Sequence, residues 1–137
     1  MDTCLLRVLG DEFDPREFLR TTELIPSSVF RKGEQIPGPR KIEPTSGFNC
    51  EVGIGSFAEQ IEMACRFIEL HKVVLTGIST NRTVEEFLIE FGYECRLNDE
   101  SVIIQRDLLP AKFISLAGRV GIGVCLTMSK AMQRDTD

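Results

Sequence analysis

The densest group of residues able to do chemistry is the stretch Gly10-Asp11-Glu12-Phe13-Asp14-Pro15-Arg16-Glu17-Phe18, with carboxylates at positions 11, 12, 14 and 17. Such a cluster could hold a hard cation or share a proton. A calcium loop, however, needs alternating ligands closed by a glutamate, and no His or Cys lies beside these acids. The same residues fit a helix start far better. Asp14 is a good N-cap, Pro15 suits the first helical position, and Glu17 sits where a capping-box acid belongs. Phe13 and Phe18 flank that cap as a hydrophobic staple. The block is therefore expected to be structural and to open a helix running to about Leu24.

A second candidate is Gly53-Ile54-Gly55-Ser56-Phe57-Ala58, which fits the relaxed dinucleotide fingerprint and stands between a strand and a helix. The acid that such a site places on the ribose, about 20 positions later, is missing around Ile78 and Ser79. Ser56 and Glu59 make a capping box instead. The single histidine, His71, falls where that helix should end, where it can face the terminal carbonyls. No nucleophile elbow, phosphate loop or paired-histidine metal motif occurs. Cys4, Cys50, Cys65, Cys95 and Cys125 are scattered singly among apolar residues, which disfavours both a zinc site and a disulfide framework and points to core packing. No catalytic residue, metal ligand or cofactor is expected.

The chain of 137 residues suits one domain with a core of its own. A net charge of −5 disfavours nucleic acid, which is bound through Lys and Arg, and mildly favours a basic protein partner. No apolar run is long enough to span a bilayer, and an acid at position 2 does not suit a secretory leader. A cytoplasmic protein without membrane contact is the expectation.

Hydrophobic periodicity assigns the elements. Cys4 to Leu9 is a strand, followed by the capped helix and a stop at Ile25-Pro26. Ser28 to Arg31 is a second strand. The turn Lys32-Gly33 then leads into a Pro/Gly-rich loop, continuing to about Ser46, that carries Arg40 and Lys41. Phe48, Cys50, Val52 and Ile54 alternate as the buried face of a strand, and the helix that follows buries Phe57, Ile61, Ala64, Cys65 and Ile68. Lys72 to Thr80 fits helix or strand. From Val84 to Leu97 apolar residues fall on every second position (Phe87, Ile89, Phe91, Tyr93, Cys95, Leu97), a period that only a strand places on one face. Asn98-Asp99-Glu100 is expected to turn it into a hairpin with Val102-Ile103-Ile104. Asp107 should cap a last helix through Phe113, Ile114 and Leu116 that ends between Gly118 and Gly121, before a strand from Ile122 to Met128. The fold class is α+β: a single two-layer domain over residues 1–129, with a mainly antiparallel or mixed sheet of about five or six strands. Two or three helices lie on one face, and residues 130–137 form a polar tail.

With helices on one side only, the other face of the long strand is open. Glu86, Leu88, Glu90, Glu94 and Arg96 belong to it, and Glu51 points out from the preceding strand. Glu51, Glu86, Glu90 and Glu94 are the candidate partner-binding residues, suited by charge to a basic protein.

The sequence also resembles a bacterial family of small α+β domains of unknown function. The resemblance is carried by Gly10-Asp11-Glu12-Phe13-Asp14-Pro15, Ile25-Pro26, Phe30-Arg31-Lys32-Gly33-Glu34 and Ser46-Gly47-Phe48. The chain departs from the family at Phe48, where Trp is common, and at Val124-Cys125-Leu126-Thr127, where the family ending is more polar. Members of that family are similar to immunity proteins that neutralise toxins exchanged between competing bacteria. The resemblance implies a non-enzymatic protein that binds a cognate toxin and blocks its active site or substrate access. A small-ligand-binding or regulatory module without catalysis is the alternative.

Overall fold

The computed structural model describes residues 2–38, 41–98 and 100–130. Strand β1 (Thr3–Leu9) runs through the middle of a five-stranded sheet, and its alternating residues Cys4, Leu6 and Val8 are fully buried on one face. It is followed by helix α1 (Pro15–Arg20), edge strand β2 (Ser28–Phe30) and β3 (Gly47–Ile54). Helices α2 (Phe57–Leu70) and α3 (Lys72–Ser79) come next, then the long β4 (Glu86–Cys95), a 3-10 turn at Arg96–Asn98, α4 (Ala111–Val120) and β5 (Gly123–Lys130). The strand order is β2-β3-β1-β4-β5. Every pairing is antiparallel except β4 with β5, which is parallel, so the sheet is mixed. Four helices, rather than two or three, pack on one face. No helix among the described residues is long and apolar enough to cross a membrane; of the expected tail at 130–137, Lys130 ends β5 and the rest lies outside the described residues.

The opening block does what its residue types dictate. Asp14 accepts from the Glu17 N–H at 3.1 Å and Pro15 takes the first turn, while Glu17 turns to Arg20 instead of closing the capping box. The helix stops at Arg20, short of Leu24, because Thr21 and Thr22 return their hydroxyls to the carbonyls of Phe18 and Leu19. Phe13 and Phe18 meet at 5.7 Å, and both lie about 6 Å from Phe48 (6.1 and 6.0 Å). Asp11 pairs with Lys32 at 3.1 Å, and Arg16 holds Glu34 with both nitrogens. Ser46 receives the N–H of Gly10 on its carbonyl and that of Lys32 on its hydroxyl. The segments around Gly10–Phe18, Lys32–Glu34 and Ser46–Phe48 thus converge on one corner of the sheet. Beyond it the 33–43 loop closes on itself through a bridge between Gln35 and Ile42; Arg40 lies outside the described residues.

Phe91 at the centre of β4 is fully buried between Phe57 of α2 and Phe113 of α4, edge-on to both at 5.6 and 5.3 Å. Burying each such ring is worth roughly 1.5–3 kcal/mol. Buried Gln60 fastens α2 to the sheet, its amide nitrogen donating to the carbonyls of Gly55 and Gly92, both at 2.9 Å.

Four expectations are corrected. Val102-Ile103-Ile104 is not a strand: both sides of β4 are taken, by β1 and β5, and Ile103 and Ile104 stand out in solvent. Asp107 does not cap α4, whose N-cap is Pro110; it receives Arg96 and Gln105 instead. Ile54 is exposed, because Cys4 pairs with Gly53 but Leu5 with Glu51, and the bulge at Val52 inverts the alternation. Gly53 then faces α2, where a Cβ would come within 2.8 Å of Met63 Sδ. Leu97, past the end of β4, is half exposed. Residues 72–79 resolve as helix, since Leu75 and Ile78 share one buried face at helical spacing.

Two glycine substitutions separate packing from propensity. In Gly10→Ala the new methyl would overlap the Thr83 carbonyl oxygen, so the urea midpoint should fall by the equivalent of about 2–3 kcal/mol. In Gly77→Ala the methyl meets open space within α3, and stability should rise by about 0.5–1 kcal/mol. Equal effects of the two changes would contradict the packing described.

Candidate functional site

The uncovered face of the sheet is built by residues alternate to the core. Register places Ser28, Asn49, Arg7, Leu88 and Gly123 in one row across the five strands. The next row runs Glu51, Leu5, Glu90 and Cys125. Thr127 and Ser129 continue this face on β5, beside Gly92 and Glu94. No helix among the described residues lies over it. All four candidate partner-binding glutamates are on this face, but they are not equivalent.

Glu90 is committed to the sheet itself. It accepts from Thr127 Oγ1 at 2.8 Å, from Arg7 Nη1 at 3.4 Å and from the Cys125 thiol at 3.9 Å. Its side chain is only 22 % exposed. It acts as a cross-strand tie between β1, β4 and β5. Glu51, Glu86 and Glu94 are exposed and free of ion pairs among the described residues. Glu86 and Glu94 stand eight residues apart on one strand, a span of roughly 27 Å. Together with Glu51, two strands away, they mark out a broad acidic face with a floor of Leu5, Leu9 and Leu88. Arg96 does not belong to it, since it lies in the 3-10 turn and pairs with Asp107 at 3.2 Å.

Arg7, Thr127 and Cys125 were not picked out as members of this face. Arg7 was legible, standing between the core residues Leu6 and Val8 in an alternating strand. Thr127 and Cys125 were not, because only the parallel register of β5 brings them to Glu90.

The other sequence candidates resolve into structure. Ser56 Oγ accepts the Glu59 N–H at 3.2 Å, and Glu59 returns a bond to the Ser56 N–H at 3.1 Å, so a carboxylate occupies the helix start that a phosphate would need. The Ser56 backbone N–H holds that carboxyl below its ordinary range. Lys32 and Thr45 likewise hold Asp11 down, and Arg16 holds Glu34 down. His71 packs its ring on Phe67 at 4.6 Å, and its backbone N–H closes α2 onto the Phe67 carbonyl. No group of three or more His, Cys, Asp or Glu among the described residues is placed to hold a metal ion.

Open clefts of ligand size border α2, one of about 490 Å³ between Ala58, Cys65 and Lys112. Another, of about 390 Å³, lies between the first turn of α2, at Ser56 and Ala58, and the segment bearing Arg96, Arg106 and Leu108. Comparison with protein-family models, with curated proteins and with solved structures finds no match.

The cysteines divide by depth. All five are free; Cys4, Cys50 and Cys65 are buried, whereas Cys95 and Cys125 are partly exposed. Burial, with the Glu90 charge adding to it, pushes the Cys4 thiol up to about 12, and burial alone pushes Cys50 up to about 11. A folded-state value raised above the unfolded one gives stability that is complete below about pH 9 and lost as pH rises toward the folded values. Each such thiol should cost about 1.4 kcal/mol per pH unit within that window. Urea midpoints at pH 8 and pH 10.5 should therefore diverge less in Cys4→Ala than in the natural chain. An aromatic disulfide reagent at neutral pH should titrate Cys95 and Cys125 quickly and Cys4 and Cys50 only after unfolding.

Proposed function

We propose that this protein is an immunity protein that binds a cognate bacterial toxin and blocks its active site or substrate access. The observation that carries the reading is the one-sided sheet: four helices cover one face, and Glu51, Glu86 and Glu94 stand exposed on the other. A rigid, acidic, largely apolar-floored surface suits a basic protein. Complementary charge speeds encounter and penalises wrong partners. The resemblance of the Gly10–Pro15 and Arg31–Glu34 segments to a family similar to immunity proteins supports the same reading, which places the protein in the cytoplasm of the producing cell.

The test is co-expression with the toxin encoded beside its gene. The natural chain should protect growth and co-purify with the toxin. A Glu51→Lys/Glu86→Lys/Glu94→Lys variant should bind at least about 100-fold more weakly, since several like-charge contacts each cost on the order of a kcal/mol or more. Glu90 is left in place because it ties the sheet. Absence of protection by the natural chain would sink the reading; full protection by a folded triple variant would move the contact off this face.

The cleft beside Ser56 favours a second reading, a small-ligand or regulatory module, because its volume falls in the range of ligand pockets. A thermal-shift screen separates the two, since a ligand bound there must raise the melting temperature.

A further inference from the structure

The two edges of the sheet are protected very differently. At one end β2 is three residues long and is followed at once by Arg31 and Lys32. At the other, β5 offers eight residues, and from Gly123 to Ser129 it contains no charge and no proline. Its far side pairs with no strand among the described residues. Long, regular, uncharged edges are templates for pairing, and proteins normally interrupt them with charge, proline or a bulge. Here the one charge is that of Lys130 at the strand's end, and proline and bulge are missing. The helix-side residues of this strand are Val124, Leu126 and Met128, and they remain 41, 42 and 56 % exposed, since α4 does not reach across them. The segment carrying the exposed Ile103 and Ile104 is held nearby, with Gln105 Nε2 3.9 Å from Met128 Sδ.

We propose that β5 is the interface of a symmetric dimer, in which two copies pair β5 with β5 antiparallel and join their sheets into one of ten strands. The strand is complementary to itself about Leu126. A two-fold axis there sets Leu126 against Leu126 and Val124 against Met128 on the helix side. On the open side it sets Cys125 against Thr127, and Gly123 faces Ser129. Antiparallel partners share a face, so apolar meets apolar and small polar meets small polar along the whole seam. The chain carries −5 overall, and this uncharged seam lets two copies approach without opposing like charges. Seven residue pairs make a seam roughly 24 Å long. With the flanking apolar side chains, it falls at the low end of specific interfaces, roughly 1,000 Å² in total.

The experiment uses the full chain. Sedimentation at about 50 µM, above the micromolar Kd to be expected of a small interface, should give twice the chain mass. Met128→Lys, at the most exposed of the three apolar positions, should raise the dissociation constant at least about tenfold, with circular dichroism and melting temperature checking the fold. Leu126→Cys in a Cys125→Ser background puts two thiols face to face across the axis, where Cα atoms about 4.5–5.5 Å apart suit a disulfide. Oxidation should give a covalent dimer, and Ile54→Cys in the same background, exposed on β3, should not. A monomeric natural chain overturns the proposal. So does a dimer that Met128→Lys leaves intact or that position 126 does not cross-link. None of these outcomes depends on the toxin reading.

Discussion

The parallel pairing of β5 with β4 is the constraint on which the second half of the fold depends. A strand has two sides, and β4 gives one to β1 in antiparallel register and the other to β5. Antiparallel neighbours can be joined by a tight turn, but a parallel neighbour must be reached by a crossover. The chain from Arg96 to Ile122 is that crossover. It leaves β4 in a 3-10 turn, folds back through the Arg96, Gln105 and Asp107 cluster, lays α4 over Phe91 and reverses at Gly121, whose φ of 76° suits glycine. The exposed apolar residues of the segment, Ile103, Ile104 and Leu108, follow from this path. They belong to a connection that crosses on the helix side of the sheet and never enters a ladder.

The same constraint separates what could be read from the sequence from what could not. The cap at Asp14, the staple of Phe13 and Phe18, the Ser56 box and the two-residue period of β4 are local. Each is decided by residues within one turn or one strand, so each was legible. The Val102–Ile104 segment has the composition of a strand, and sequence cannot say that its place beside β4 is already occupied by a strand 20 residues further on. Asp107 has the type of an N-cap but lies three residues before Pro110, and its partner Arg96 is set by tertiary folding. The inverted exposure of Ile54 arises from a bulge opposite β1, which is likewise non-local. Lys72–Ser79 combines β-branched residues with a helical spacing of buried ones, and packing on α2 and α4 decides in favour of the spacing.

The candidate site was legible to the same extent. Alternation in β3 and β4 was enough to put Glu51, Glu86, Glu90 and Glu94 on one face. It could not show that Glu90 is spent inside that face, on Arg7 and Thr127. The consequence is electrostatic. An acid with a guanidinium at 3.4 Å and a hydroxyl at 2.8 Å presents little free charge to a partner, so the face has acids at its margins and a nearly neutral, half-apolar centre of Leu5, Arg7 and Leu88. That is the usual anatomy of a recognition surface, with charge at the rim to steer and apolar area in the middle to bind.

Joining two copies through β5 would extend this anatomy without altering it. Pairing across the edge keeps each open face on the same side, so the two acidic faces become one continuous surface with Cys125, Thr127 and Ser129 of both copies along its midline. Those residues are small and uncharged, and β5 is the only strand of the sheet whose open side carries neither an acid nor a large apolar group. A partner of the size of one domain would meet the glutamates of a single copy. A larger partner would cross the midline over small side chains that leave its approach unobstructed. The feature that makes β5 a poor solitary edge, its lack of charge, is thus the feature that keeps the middle of a paired sheet open.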